Sequence, residues 1–340
     1  MAQFMKLSIV IICWNDKKVI LDCLASIYAQ TRKHSFEIIV SDNGSTDDSV
    51  SAIQSQYPLV KIIENRQNLG FAKGNNVGIR SATGEYVLIL NPDTVIHDSA
   101  LDTLVDFADA HPEAGALGCR AFSVDGSSQH PGQPLPTPIN MFVSALGWRW
   151  LGWIHPAFEA DIYRGWSEDT VREIGVQHGF CILVRRELLV RLKGFDQRFF
   201  YNFEEVDLCR RIVNAGHAIL FCPDARITHL GGQSTGRFPT RFAIEKCRNC
   251  YRYMCKHFGK GCLWWIRLCY VLKFALRWMF YTIKRATGAK VPPQRLQTLK
   301  TLILWNWRLN PVRFVDSGEE PDLGFAPLQF ICFTSASPGE

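Results

Sequence analysis

The chain has 340 residues, of which 47% are hydrophobic, 12% aromatic and 21% charged. That balance excludes a disordered chain, a collagen and a coiled coil, and the length suits one large domain or two smaller ones. The net charge of +6 is unevenly placed: residues 1–245 hold 23 basic and 27 acidic side chains, residues 246–315 hold 15 basic and no acidic ones, and residues 316–340 hold five acidic and no basic ones.

Leu7–Cys13 is a short apolar run rich in β-branched residues and predicts a buried strand. Lys17–Gln30 has apolar residues at helical spacing. Phe36–Val40 predicts a second strand, and Thr46–Gln54 a helix capped by Ser45 or Thr46 with Asp47 and Asp48 in its first turn. Val60–Ile63 predicts a strand, Phe71–Ser81 a helix after a glycine-rich opening, and Tyr86–Leu90 a fourth strand. This alternation is the pattern of a parallel α/β sheet. Ligands bind such sheets at the carboxyl ends of strands, where Asn15, Asp42 and Asp93 collect.

Further along, Ser99–His111 predicts a helix, and residues 123–170, rich in Pro, Gly and Trp, a long ordered loop with short elements. There, Trp148, Trp150, Trp153 and Trp166 are candidates either for stacking on sugars or for packing. Gly179–Arg185 reads as a strand, Arg186–Arg191 as a helix start, Asp207–Ala215 as a helix ended by Gly216, and Ala218–Phe221 as a short strand. Ile244–Phe258 is helical. Trp264–Ile283 contains Arg267, Lys273 and Arg277, and Lys273, Arg277 and the following Lys284 fall within about 40° of one another, opposite Trp, Leu, Phe and Met. Charges inside this segment argue against a membrane span and suit a helix lying in a membrane interface, with a packing helix as the alternative.

The twelve cysteines form no disulfide framework: Cys13, Cys119, Cys181, Cys209 and Cys222 sit in or beside apolar runs. Cys247 and Cys250 lack the matching second pair of a zinc site. The N-terminus has no signal-peptide pattern, which predicts a reducing compartment.

No Walker loop is present, and Cys13-Trp14-Asn15-Asp16 replaces the glycine-rich turn of a dinucleotide site. Asp42 is placed to accept hydrogen bonds from a base imide or ribose hydroxyl. Asp93 is placed to reach a divalent cation bridging two phosphates. Both also stand in ordinary turn sequences.

Six blocks in order carry a resemblance: Asp42-Asn43-Gly44-Ser45-Thr46-Asp47, the run Asn68 to Gly78, the run Gly84 to Thr94, Gly194-Phe195-Asp196, Glu204-Glu205-Val206-Asp207, and His229-Leu230-Gly231-Gly232-Gln233-Ser234. Over residues 7–255 the chain resembles the family 2 inverting glycosyltransferases of GT-A fold, in the rhamnosyltransferase-like branch of bacterial surface polysaccharide synthesis. The resemblance implies a mostly parallel nucleotide-binding sheet flanked by helices, with a catalytic domain over 1–245. About 1–120 would be its nucleotide-binding half and 121–245 its acceptor half. A basic amphipathic helical region over 246–315 and an acidic tail over 316–340 would follow.

By the same resemblance, Cys13, Asn15 and Asp42 cradle the nucleoside, and Asn65, Gly70, Lys73 and Asn75 line the nucleotide loop. Asn91-Pro92-Asp93 stands where the family shows its acidic metal motif, so Asp93 and His229 become ligands of Mg²⁺ or Mn²⁺. Asp196 shapes the sugar and acceptor pocket or holds its loop. The family's Glu-Asp pair is here Glu204-Glu205, so Glu205 takes the base position with one extra methylene, and Glu204 is its alternative. Asp207 would orient neighbours or cap the following helix.

The implied donor is TDP-L-rhamnose, and the implied acceptor a saccharide or polyprenyl-linked saccharide. The implied location is cytoplasmic, on the inner face of the cytoplasmic membrane, with the basic segment against anionic lipid. Alternatives are a UDP-sugar-dependent galactofuranosyl or N-acetylhexosaminyl transferase and a catalytically silent scaffold of the same fold. A nucleotide-sugar pyrophosphorylase lacks its glycine-rich triphosphate loop here. Nucleic acid is not an expected partner, because the aromatics of the basic segment mix with aliphatic residues rather than line a groove.

Overall fold

The computed structural model describes residues 5–148, 153–155, 158–159, 163, 165–231 and 239–321. Two compact units emerge. One takes the described residues of Met1–Leu135, Gly165–Phe200 and Glu204–Gly232, and the other those of Pro136–Arg164, Tyr201–Phe203 and Gln233–Glu340.

The first unit opens with β1 (Leu7–Cys13), α1 (Lys17–Gln30), β2 (Phe36–Asp42), α2 (Ser49–Gln56), β3 (Lys61–Glu64), α3 (Gly70–Arg80), β4 (Tyr86–Leu90), β5 (Thr94–Ile96), α4 (Ala100–Ala110), β6 (Ala114–Phe122) and β7 (Gly132–Gln133). The second unit contributes α5 (Pro138–Leu146). The first resumes with β8 (Arg172–Glu173), β9 (Val176–Gln177), β10 (Cys181–Arg185), α6 (Arg186–Arg191), α7 (Glu204–Asn214) and β11 (Ala218–His229). Its main sheet runs β3-β2-β1-β4-β10-β6-β11-β5, with β8 also on β11. The β3-β2-β1-β4 half is parallel throughout, β10 is antiparallel to β4 and β6, and β11 runs parallel to β6.

Alternation along the strands assigns the two faces. Leu7, Ile9, Ile11 and Cys13 join the buried cluster with Ile20, Leu24 and Ile27 of α1, Ile53 of α2 and Leu101, Leu104 and Val105 of α4. The opposite face meets α3, which approaches so closely that a Cβ at Gly74 would lie 2.5 Å from Ile12, and one at Gly78 2.5 Å from Val10. The glycines four residues apart in α3 are therefore packing positions, one helical turn apart on the face that touches β1.

Several expectations change. Neither Ser45 nor Thr46 caps α2: the cap position is Asp48, in the left-handed region, and its side chain makes no capping bond. Asp47 lies before the helix rather than in its first turn. Its carboxylate accepts from the N–H of Lys17 at 3.0 Å and of Ser49 at 3.2 Å, so it serves the starts of both α1 and α2. The strand read as Ala218–Phe221 runs on to His229. Pro223 falls where the pairing with β6 shifts register between Cys222 and Arg226, so the strand bulges there instead of ending. β6, built from small residues such as Gly115 and Gly118, and the three-residue β5 are strands that the pattern did not signal.

The second unit holds α5, α8 (Pro239–Phe258), α9 (Leu263–Ala286), α10 (Pro293–Arg308) and α11 (Pro311–Ser317). Tyr251 is fully buried and donates to Asn306 at 2.9 Å. Buried Arg248 of α8 pairs with Glu245 at 3.0 Å and donates to Glu320 at 2.8 Å, and Lys260 pairs with Asp316. The start of the acidic tail thus folds back on the basic helices, and residues 322–340 lie outside the described residues. Arg267 donates to the carbonyl of Asn306 at 3.0 Å and to that of Trp307, a cation set at the last turn of α10. Among the described residues, no helix is long and apolar enough to cross a membrane.

Candidate active site

The carboxyl ends of the parallel strands lie side by side. Cys13 is in register with Asp42 across β1 and β2, and Ile11 with Leu90 across β1 and β4. Cys13 itself is fully buried, and burial pushes its thiol up to about 12. Its side chain packs in the core, and its carbonyl accepts from the N–H of Asn43 at 2.8 Å. Asn15 holds a left-handed backbone and accepts from the N–H of Thr46 at 2.7 Å. Asp42, 2% exposed, accepts from the N–H of Gly44 at 2.9 Å and of Ser45 at 3.1 Å. Its carboxylate is folded onto its own turn and fixes the loop beside Asn15.

A second group of amides joins the loops after β2 and β3 to α3. Asn65 donates to Ser41 at 2.9 Å and to Asn43 at 3.0 Å, and the hydroxyl of Ser41 donates to the carbonyl of Gly74 at 2.8 Å. Asn68 accepts from the N–H of Gly70 at 2.9 Å. Gly70 has a φ of +76°, in the left-handed region, and a Cβ there would strike the Phe200 ring at 2.6 Å. Asn75 is buried and donates to the carbonyl of Phe71 at 3.0 Å, while Lys73 of the same helix is exposed.

The acidic pair sits in the first turn of α7, a favourable place for negative charge. Glu204 is buried at 4% exposure and Glu205 is half-buried. Asp207 lies within the helix and does not cap it: it is buried and pairs with Arg211 at 2.8 Å. Arg211 donates in turn to the carbonyls of Leu192 and Gly194, both at 2.8 Å. Asn76 grips the same turn, accepting from the N–H of Phe195 at 2.9 Å and donating to its carbonyl at 2.8 Å. Asp196 is engaged by the Arg198 guanidinium at 2.7 Å and holds its own loop.

The two halves of the site meet through Gly179 and Phe180. A Cβ at Gly179 would lie 3.6 Å from both Glu205 Cβ and the Phe71 ring. Phe180 stacks on the His229 imidazole with centroids 4.6 Å apart, and its carbonyl accepts from the N–H of Asn91 at 2.9 Å. His229 is the last residue of β11, paired with Thr94 of β5, which places its ring against the Asn91-Pro92-Asp93 turn. Its Nε2 is 3.3 Å from Asp93 Oδ1 and 3.4 Å from Asn91 Nδ2, and its Nδ1 is 2.8 Å from Gln129 Oε1. Asp93 Oδ2 accepts from the N–H of Gly231 at 3.1 Å. A carboxylate oxygen and an imidazole nitrogen 3.3 Å apart are close enough for both to bind one divalent cation, so Asp93 and His229 would fit such an ion. No group of three or more metal-ligating side chains occurs among the described residues.

Gln129 and Phe180 had no sequence signal, since neither belongs to a spaced motif. Of the four tryptophans, Trp166 packs edge-on to Phe221 at 4.6 Å, Trp148 and Trp153 are exposed, and Trp150 lies outside the described residues. The last three residues of the His229 block, Gly232, Gln233 and Ser234, also lie outside them.

A mostly parallel sheet with acidic residues at its strand ends and a histidine returned beside them is the arrangement expected of a glycosyltransferase domain of GT-A fold. The model of glycosyl transferase family 2 matches residues 8–192, and the chain belongs to that family. An N-acetylglucosaminyl-diphospho-decaprenol L-rhamnosyltransferase of Mycobacterium tuberculosis is 30% identical over 256 residues, covering 71% of this chain and 80% of the relative. The O-antigen biosynthesis protein RfbC of Myxococcus xanthus is 31% identical over 225 residues, covering 65% of this chain and 17% of that protein. Among solved structures, a mannosyltransferase of Pyrobaculum calidifontis in complex with GDP-Man and Mn²⁺ aligns with a TM-score of 0.55 at 17% identity, over 94% of this chain and 89% of that one. GalNAc-T7 with UDP, GalNAc and Mn²⁺ aligns with a TM-score of 0.55 at 14% identity, over 94% and 59%. These two show the shared fold.

The Asp207–Arg211 pair is a testable hinge of the site. Asp207→Asn leaves a largely buried guanidinium without its countercharge and should cost about 3–5 kcal/mol, measured by denaturant unfolding. Adding Arg211→Met should recover only part of it, because the carbonyls of Leu192 and Gly194 then lose their donor.

Proposed function

We propose that this glycosyltransferase moves L-rhamnose from TDP-L-rhamnose onto a lipid-linked saccharide, with inversion at the anomeric carbon. The observation that carries the reaction class is the Asp93–His229 pair at the strand ends, linked to Glu205 by contacts through Phe180 and its neighbour Gly179. The rhamnosyl donor and the diphospholipid acceptor are favoured by the mycobacterial relative's own description. A UDP-sugar donor is the competing reading, since uracil and thymine present the same imide edge to Asp42.

In this reading Asn15 and Asp42 flank the nucleoside above the buried Cys13. Asn65, Gly70 and Asn75 hold the nucleotide loop in shape, and Lys73 offers a cation to the diphosphate. Asp93 and His229 would hold Mg²⁺ or Mn²⁺. When bound, the ion offsets the charge that builds on the leaving diphosphate. Glu205 accepts the proton of the acceptor hydroxyl as that oxygen attacks the face opposite the leaving group. It is favoured over Glu204 because a base must be reachable by the acceptor, and Glu205 is the more exposed of the two, although one oxygen of each carboxylate is buried. Asp196 and Asp207 act one step back, on the turn that borders the sugar.

Glu205→Gln should lower kcat by about 10²–10⁴ with the fold intact. Glu204→Gln should act mainly on stability. Proton NMR of the product from β-linked TDP-L-rhamnose should show an α-rhamnoside. A retained configuration contradicts the mechanism, and turnover with a UDP sugar alone replaces the donor.

We also propose that the C-terminal helices rest on an anionic membrane surface. At 100° per residue, Leu268, Leu272, Leu276, Met279 and Ile283 of α9 span an arc of about 80°. No charge falls within that arc, and Leu268, Met279 and Ile283 are exposed by 51–56%. On the charged side, Lys273 donates to Ser144 of α5 at 2.9 Å, while Arg277 is exposed and lines a cavity of about 360 Å³ with Arg295 and Tyr281. An apolar face on a helix whose other side is basic, in a segment with no acidic residue, fits anionic lipid better than a second copy carrying the same charge. The protein should sediment with phosphatidylglycerol-containing vesicles, less with neutral ones, and Met279→Glu with Ile283→Glu should abolish it. Equal partitioning of the variant and the parent contradicts the assignment.

A further inference from the structure

We propose that Gln129 is a positioning residue that fixes the tautomer of His229, with the proton on Nδ1 and the lone pair of Nε2 directed at Asp93. The inference rests on the reading of Asp93 and His229 as a cation-holding pair. Gln129 follows β6 and lies a hundred residues before His229, yet both ends of its amide grip that one residue. Its Nε2 donates to the His229 carbonyl at 2.6 Å, and its Oε1 lies 2.8 Å from the ring Nδ1. The amide cannot be turned over without setting its oxygen against the carbonyl oxygen, and a carbonyl oxygen only accepts. The carbonyl of residue 229 therefore sets the direction of the amide, and the amide oxygen calls for a proton on Nδ1. In a neutral imidazole the other nitrogen is then the acceptor.

The surroundings agree with that assignment. Gln129 Nε2 makes a second contact with Ser123 Oγ at 3.2 Å, so both amide protons have partners. On the far side of the ring, Asn91 turns its Nδ2, a donor, toward His229 Nε2 at 3.4 Å. Asp93 Oδ1, at 3.3 Å, offers only lone pairs as a carboxylate, so two acceptors converge on a point a cation would occupy. The stacked Phe180 ring limits rotation of the imidazole.

The loop that carries Gln129 is pinned on both sides of it. Ser128 donates to the buried Glu168 at 2.6 Å, and His130 Nδ1 lies 2.7 Å from the other oxygen of that carboxylate. A rigid outer partner of a ligating histidine commonly sets its ring orientation, and losing one typically costs about 10–100-fold in metal affinity.

Two measurements on the full chain test this. In ¹⁵N-histidine-labelled protein at mildly alkaline pH, with His229→Gln used to assign the signal, His229 should show a protonated Nδ1 and an unprotonated Nε2. The opposite tautomer overturns the proposal without any variant needing to fold. In calorimetric titration of Mn²⁺ with TDP present, Gln129→Met, which keeps the bulk but neither hydrogen bond, should weaken binding by about 10–100-fold. Gln129→Glu keeps an acceptor for Nδ1–H but sets a second carboxylate oxygen against the His229 carbonyl, so it should lose affinity but less than Gln129→Met. Equal losses in both variants, or no loss in Gln129→Met, overturn it. Absence of Mn²⁺ binding by the parent chain would instead count against the cation pair, leaving the tautomer result to judge Gln129.

Discussion

The arrangement of the site depends on one strand running past its apparent end. β11 bulges at Pro223 and continues to His229, where it pairs with β5. That pairing brings an imidazole to the Asn91-Pro92-Asp93 turn, and the N–H groups of Leu230 and Gly231, donating to Asp93, fasten the two segments together. Buried polar groups need partners, and here each side of the histidine has one: Gln129 on Nδ1, Asp93 and Asn91 on Nε2, and Phe180 across the face. Phe180 also ties this cluster to β4 and, through Gly179, to the start of α7.

The parallel half of the sheet was legible because its strands are apolar runs of β-branched residues separated by helices with clear periodicity. β1, α1 and β4 begin and end where the pattern places them. β6 was not legible, because Ala114, Gly115, Ala116 and Gly118 are poor strand formers by composition and are held in place by burial between β10 and β11. β11 was cut short because Pro223-Asp224 looks like a turn, and only the neighbouring strand shows that a bulge absorbs it. The acidic residues and His229 stand in recognisable blocks. Gln129 and Phe180 do not, since their roles arise from contacts across long sequence separations that no local spacing encodes.

Turn chemistry and site chemistry use the same residues. Asp42 closes its own loop through Gly44 and Ser45, Asp47 serves two helix starts, and Asp207 acts through Arg211 on the turn at Gly194. In the C-terminal unit the basic charge is likewise partly structural. Arg248, Arg267, Lys260 and Lys273 all have partners, which leaves the apolar outer face of α9 as the feature that packing within the unit does not explain.

The central claim, a divalent cation shared by Asp93 and His229 when a nucleoside diphosphate is bound, is tested most directly by pulsed electron paramagnetic resonance of Mn²⁺ added with TDP. A directly coordinated nitrogen should be seen on the bound ion and should disappear in His229→Gln. Bound Mn²⁺ with only oxygen ligands in the parent chain would contradict it.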